Sequence, residues 1–388
     1  MSRPLRVAVI TNMITTYRRD YFRRIFDDPD LAVTVFCQDG IPGMNLPPIH
    51  REFGERVVEV PYVGADRELI GWQRLPWRQL LSGFDVYFVH GNPRVLSNVA
   101  VSLLLRLTGK RVVIEGQLHT AGSRRLFEEV RLLWWRLFRY VYLYNEVEIS
   151  SLRAKRGFSK AVAVGMNNGL DQSAIEAAQM QWPESELRPW QHAQGITDRT
   201  VLLSCARLEA KNRFELMLDC LPELKRQHPD ILWCVIGAGP LRTELEQRFT
   251  QAGLSDSVRW LGALYEEAKL APWFLSARTL VHPGAVGLSL LHAFGYGLPV
   301  VTHAERDQHM PEFAALTPGE NGLVYPAQDP DAMTAAILEA IEKRGRLGIA
   351  AKQTAQTRFN TRVMAERFKA MCQLAAQTTN SNGGAACA

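Results

Sequence analysis

The sequence predicts an α/β protein made of two doubly wound domains, each with a parallel sheet. Three observations carry that expectation. Short β-branched runs alternate with longer amphipathic segments along most of the chain, the pattern of repeated strand–helix–strand units. The alternation occurs twice, on either side of a stretch (176–200) with no clean period. The chain has 388 residues, more than one ordinary core holds.

The elements follow in order. "LRVAVITN" (5–12) reads as a buried strand and "YRRDYFRRIFDD" after it as a helix. "LAVTVFC" (31–37), "VVEV" (57–60), "DVYFVH" (85–90) and "RVVIEG" (111–116) are further strands, and "AVAVGMNNG" (161–169) closes the first sheet. The first domain is expected over 1–180. Residues 181–199, with Gln, Pro and Trp and no period, are expected to be a linker. The second sheet begins at "TVLLSCARL" (200–208) and continues with "ILWCVIGAG" (231–239), "VRWLG" (258–262), "RTLVHP" (278–283) and "LPVVTH" (298–303). Pro240 opens the helix after 231–239, at a position where its missing N–H is no loss. The second domain is expected over 200–345. A helix over 346–376 is expected to pack back toward the first domain. The small, polar tail 377–388 is expected to be disordered.

Composition narrows the function. Apolar residues make up 47% and charged residues 22%, ordinary for a soluble globular protein. A net charge of +5 does not point to nucleic acid. Six cysteines (37, 205, 220, 234, 372, 387) show no C-x-x-C pair and no zinc spacing, so reduced thiols in a cytosolic protein are expected. "MSRPLRVAVITNM" does not read as a signal peptide. No apolar run is long enough to span a bilayer. The expected location is the cytoplasm, with peripheral contact to the inner face of the cell membrane.

Three stretches carry chemistry. In "SCARLEAKNR" (204–213) a strand ends, and Arg207 and Lys211 follow four residues apart. A guanidinium fork and an ammonium beside a strand end suit a diphosphate; a solvated loop is the alternative. "VIGAGPLRTELE" (235–246) places Gly237 and Gly239 in a turn where backbone can approach a ligand, although G-x-G-x-x-G is incomplete. In "HPGAVGLSLLHAFGYGLPVVTH" (282–303) Gly284 and Gly287 bracket a loop that opens directly onto a helix. Amides and dipole at a helix start form an anion site. His292 lies five residues after Gly287, as a donor to a ribose or sugar hydroxyl or as a satisfied core histidine.

Taken together and in this order, these landmarks resemble the nucleotide-sugar-binding half of retaining GT-B glycosyltransferases of family four. The string is "ARLEAKN", "GAGPLRTELE", "VRWLGAL", "HPGAVGLSLLHAFGYGLPVV", then "MPEF" and "GENGLVY", with "GMNNGLD" (165–171) before the linker. The resemblance covers roughly 160–345. It implies two Rossmann-like domains facing a central cleft and a nucleoside-diphosphate-sugar donor. It matches Arg207 and Lys211 to the pair that clamps the diphosphate. Gly284, Ala285, Val286, Gly287 and Leu288 match the loop that offers amides to the phosphates. Leu261–Leu264 matches the nucleobase contact, with Leu264 at its end, and Glu312 matches a glutamate following the donor pocket. No cofactor and no metal ion is expected. The "DPD" turns at 28–30 and 329–331 read as helix caps rather than metal ligands.

The resemblance also exposes a departure. The family carries two glutamates eight positions apart in the loop-helix, the first on the transferred sugar and the second on ribose. Here Gly284 and His292 occupy those positions. His119 in "EGQLHTAGSRR" matches a residue placed near the donor sugar, with Glu115 and Gln117 as neighbours; a surface loop histidine is the alternative. "RRLFEEVRLLWWRLFRYVYLY" (124–144) is dense in Arg and aromatics, which suits an anionic membrane interface or core packing. The expected activity is sugar transfer from the donor to a glycan or lipid-linked glycan in polysaccharide or lipopolysaccharide assembly, with retention by resemblance alone. An inactive nucleotide-sugar-binding protein and a sugar-nucleotide epimerase are the rival readings.

Overall fold

The computed structural model describes residues 3–40, 48–64, 70–81, 83–118 and 125–377. By its contacts the chain forms two compact units, 1–168 with 361–388 and 169–360.

The first unit holds β1 (Leu5–Ile10), β2 (Leu31–Cys37), β3 (Val57–Glu59), β4 (Tyr62–Val63), β5 (Trp72–Gln73), β6 (Val86–His90), β7 (Arg111–Gly116), β8 (Tyr140–Leu143) and β9 (Val162–Gly165). β4 and β5 form a short antiparallel pair, and the other seven make one parallel sheet in the order β3-β2-β1-β6-β7-β8-β9. The strands are apolar on both faces because both are covered. Val7, Val9, Phe88, Val113 and Tyr142 pack on one side, and Ala8, Ile10, Tyr87, Ile114 and Val141 on the other. The helix Thr361–Gln377 closes the first of these faces, with the Phe368 ring 4.5 Å from Phe88. Its Lys369 pairs with Asp28 at 3.0 Å and Asp30 at 2.6 Å, so the first "DPD" turn anchors this helix. In the second, Asp329 caps the helix Pro330–Glu342, accepting from the Ala332 amide at 2.9 Å.

The second unit holds β10 (Thr200–Cys205), β11 (Ile231–Ile236), β12 (Val258–Gly262), β13 (Thr279–His282), β14 (Val300–His303) and β15 (Gly322–Tyr325). All pair in parallel, in the order β12-β11-β10-β13-β14-β15. The strand order reverses between β10 and β13, and between β1 and β6 in the first unit. Ligands of such sheets bind beyond the carboxyl ends of the strands at these reversals.

Three boundaries differ from expectation. Residues 181–199 are not a free linker: the helices Gln172–Met180 and Glu184–Ala193 belong to the second unit. Ile175, Ala178 and Ile196 are buried there, and the Trp190 ring stands 4.8 Å from Trp273. Their anchors are widely spaced among polar residues, so no period shows. The chain changes unit at Asn168–Gly169 instead. A Cβ on Gly169 would lie 2.4 Å from the Asn360 amide nitrogen, so this crossing runs against the return crossing. The expected helix 346–376 is two helices, Arg344–Thr357 in the second unit and Thr361–Gln377 in the first. The Asn360 side chain caps the break, donating to the carbonyls of Ala355 at 3.1 Å and Gln356 at 2.8 Å. Residues 378–388 lie outside the described residues. The described cysteines are free thiols, all buried except half-buried Cys205.

Candidate donor site

The site is built at the carboxyl ends of β10 and β13. Arg207 and Lys211 leave β10 with side chains 64% and 63% exposed. They are held on one carboxylate: Arg207 Nε lies 3.1 Å from Glu209 Oε1, and Lys211 Nζ 3.2 Å from Glu209 Oε2. Buried Asn212 fastens the loop by donating to the Arg207 carbonyl at 2.6 Å. Glu209 was in plain view between the two cations, yet only the contacts reveal that it holds both.

Gly237 and Gly239 serve this loop rather than open space. A Cβ at Gly237 would sit 1.9 Å from the Ala206 carbonyl oxygen, and one at Gly239 2.4 Å from that of Leu208. Bare backbone at both positions lets the β11 turn press against the loop that carries Arg207.

The glycine loop after β13 is locked to the same segment. A Cβ at Gly284 would lie 2.1 Å from the Lys211 carbonyl oxygen, and the Ala285 amide donates to that oxygen at 3.1 Å. The Val286 amide donates to His309 Nδ1 at 3.1 Å. Two of the amides expected to face an anion are therefore engaged within the protein. The amides of Gly287, Leu288 and Ser289, at the start of the helix Leu288–Gly295, meet no acceptor among the described residues. These carry the positive end of the helix dipole. Glu312 is buried, and its Oε2 would be 3.6 Å from a Cβ at Gly287.

His292 is not free. Its Nε2 lies 2.7 Å from Glu267 Oε1, which also accepts from the Tyr296 hydroxyl at 2.5 Å. The Phe274 ring packs 4.6 Å from His292 and 5.1 Å from Tyr296. Burial pushes the Glu267 carboxyl up, but the bonds from His292 and Tyr296 outweigh it and hold it below its usual range. Leu264 packs partly buried beside Leu261, lining a shallow cavity of about 340 Å³ with Trp182, Trp190 and Trp273.

Three histidines went unread in the sequence. His282, His303 and His309 are buried, and burial is the main cause that holds each neutral, at about 4, 3 and 4, with the His309 ring next in weight for His282 and His303. The rings of His303 and His309 stack at 4.0 Å. The His309 ring thus positions the loop through Val286. These residues ended strands or followed them, and strand ends read as apolar continuations.

In the first unit, His119 lies outside the described residues. Glu115 lies opposite His90 at the end of β6, one residue before Gly116 ends β7. Arg18 approaches Glu115 at 3.7 Å and donates to Asn168 Oδ1 at 3.3 Å, while its buried Nε has no partner among the described residues. Burial raises the Glu115 carboxyl and Arg18 only partly offsets this. Gln117 is half-buried just beyond.

The second unit resembles known proteins. Residues 199–343 match the family model described as Glycosyl transferases group 1. Over this stretch the second unit is similar to that family. The chain is 26% identical over 187 residues to the GDP-mannose-dependent alpha-(1-6)-phosphatidylinositol monomannoside mannosyltransferase of Mycolicibacterium smegmatis, covering 45% of this chain and 48% of that protein. It is 28% identical over 113 residues to the alpha-D-kanosaminyltransferase of Streptomyces kanamyceticus, covering 28% and 29%. The chain thus spans about half or less of the curated relatives it matches. Among solved structures, Anabaena HepE in complex with UDP is similar at a TM-score of 0.68 and 14% identity, over 95% of this chain and 100% of that one. A glycosyltransferase from Rickettsia africae is similar at 0.71 and 9%, over 97% and 100%. At these identities the likeness is one of fold: two α/β domains of the GT-B type. Every expected donor residue from Arg207 to Glu312 lies within the matched stretch. No helix among the described residues is long and apolar enough to cross a membrane.

Proposed function

We propose that the protein is a glycosyltransferase that moves a sugar from a nucleoside-diphosphate donor to a glycan or lipid-linked glycan in cell-surface polysaccharide assembly, with retention at the anomeric carbon. The observation that carries this reading is one junction. The Lys211 carbonyl accepts from the Ala285 amide at 3.1 Å, which fastens the two cations of β10 to the loop leading into the unpaired amides of Gly287, Leu288 and Ser289. Cations and amides on one rigid piece suit a diphosphate.

The chemistry follows from charge. As the glycosidic bond to phosphate breaks, negative charge collects on the leaving diphosphate. Arg207, Lys211 and the helix-start amides are preorganised to stabilise it. Glu209 keeps both cations oriented until phosphate oxygens replace it. No metal ion is needed for that neutralisation. The Mycolicibacterium relative is named for GDP-mannose and a phosphatidylinositol mannoside, and HepE was solved with UDP-glucose. These names support a nucleotide-sugar donor and a glycolipid acceptor.

Thermal-shift titration with UDP, GDP, ADP and dTDP and their sugars tests the donor half, because a ligand that binds only the folded form raises its stability. One base is expected to stabilise the protein, and Arg207→Ala and Lys211→Ala to lose the effect. Four flat titrations overturn the reading. A stabilising donor sugar that is never hydrolysed or transferred, across a panel of glycan acceptors, favours a binding protein without catalysis.

A further inference from the structure

The helix Arg125–Trp135 shows a divided surface. Trp134 and Trp135 are buried at 6% and 0% exposure, so the aromatic pair belongs to the core. On the other side Leu126 is 69% exposed, Val130 47%, Leu133 61% and, just past the helix, Leu137 43%. The spacing of four, three and four places them on one face. Soluble proteins rarely leave such a stripe in water without a use for it.

Cations gather at the Leu137 end of the stripe. The Arg106 guanidinium donates to the Leu137 carbonyl. That contact brings in the end of the helix Leu96–Leu107, whose Leu107 is 84% exposed. A cavity of about 430 Å³ opens there, lined by Arg106, Arg136, Arg139 and Lys160 with Leu137 and Phe138. None of these four cations pairs with a carboxylate among the described residues. On the helix itself Glu128 faces Arg131, at 3.9 Å. Four uncompensated positive charges around one opening repel one another, and an anion there relieves the repulsion.

We infer that this surface docks on an anionic lipid bilayer, with phosphate headgroups in the basic cavity and the leucine stripe lying in the interface. A protein partner of matching shape would need acidic groups beside an apolar face. A bilayer with anionic lipid presents both as a plane, which suits a convex helix face with cations at one end. The inference extends the lipid-linked acceptor in the proposed function. It does not depend on the donor site, which lies in the other unit.

The test uses the full chain and vesicles of phosphatidylcholine alone or with phosphatidylglycerol, followed by co-sedimentation at low and high salt. Binding is expected only to the anionic vesicles and to weaken with salt. Arg136→Glu with Arg139→Glu is expected to lower it by about tenfold or more, given the favourable contribution of each basic residue near an anionic surface. Leu126→Ser with Leu133→Ser, both at exposed positions, is expected to weaken binding while leaving the fold intact by circular dichroism. No binding, equal binding to both vesicle types, or unchanged binding by both variants overturns the inference. So does a dimer in light scattering that Leu126→Ser with Leu133→Ser dissolves while vesicles go unbound. Nucleotide-induced thermal shifts on the same samples report the donor site separately. A lost lipid contact is therefore not confused with a failed functional assignment.

Discussion

The imidazole Nε2 of His292 and the carboxylate Oε1 of Glu267 lie 2.7 Å apart, in a pair completed by the Tyr296 hydroxyl. A carboxylate is thus present beside His292, at the position where the resemblance would place one on the helix itself. It comes from the helix Glu267–Ser276 instead. The pair contributes to the acid response. Glu267 has its folded pKa lowered from the usual 4.5, so its contribution is present above that value and lost as pH falls through the folded pKa. Melting temperatures between about pH 3 and pH 6 should show Glu267→Gln less stable than wild type at pH 6, with the gap closing toward pH 3. A constant gap would mean the carboxylate is not engaged.

Gly284 and Gly287 look equivalent in the sequence and are not. A Cβ at Gly284 meets backbone, 2.1 Å from the Lys211 oxygen and 2.5 Å from Asn212 Cα. A Cβ at Gly287 meets the flexible Met310 side chain at 3.1 Å. Gly284→Ala should cost on the order of 1–3 kcal/mol in urea unfolding, and Gly287→Ala clearly less. Equal losses would refute the backbone junction. The same contact leaves no room for the glutamate that the resemblance would place at 284: a side chain there must move the loop that carries Lys211.

Glu209 restrains both Arg207 and Lys211, at 3.1 and 3.2 Å. By calorimetry, Arg207→Ala and Lys211→Ala should each weaken nucleoside-diphosphate binding by about 1.5–3 kcal/mol, with the nucleoside affected little. Glu209→Gln should change affinity in the opposite direction or leave it level, because it releases two cations from competition. A loss as large as that of the cation variants would give Glu209 a direct role with the ligand.

Much of this was legible in the chain. Strands such as "VAVI" and "ILWCVI" are apolar on both faces, which fixes a buried parallel sheet with little ambiguity. Arg207, Lys211 and the glycine loop were legible as types of residue at strand ends. What could not be read was engagement. Ala285 and Val286 look like free loop amides until the partners Lys211 and His309, 74 and 23 positions away, are known. His292 looks like a lone histidine until Glu267 arrives from another helix. The helices at 172–193 were hidden because Ile175, Ala178 and Trp190 are anchors too sparse to give a period. Trp134 and Trp135, readable as a membrane face or as core, pack inward, and Leu126 and Leu133 of the same helix point out.

The histidines around the glycine loop give the last expectation. His282, His303 and His309 are buried, and their folded pKa values are lowered from 6.5 to about 4, 3 and 4. The sign follows from proton counting. Between about pH 6.5 and pH 4 the unfolded chain binds protons at these rings and the folded one does not, so stability falls as pH falls. Each ring should remove about 1.4 kcal/mol per pH unit well below 6.5. His303 is the cleanest to test. Its Nδ1 accepts from the Glu305 amide at 3.2 Å, which leaves the proton on Nε2, a buried atom with no partner among the described residues. His303→Gln keeps an acceptor for that amide and removes the titrating ring. Urea unfolding of this variant should show lower stability than wild type at pH 7.5 through lost stacking on His309, yet a shallower decline between pH 6.5 and pH 4.5, by about one proton's worth of slope. A decline parallel to wild type would place the His303 proton elsewhere, and would remove the buried neutral histidines from the acid response of the donor site.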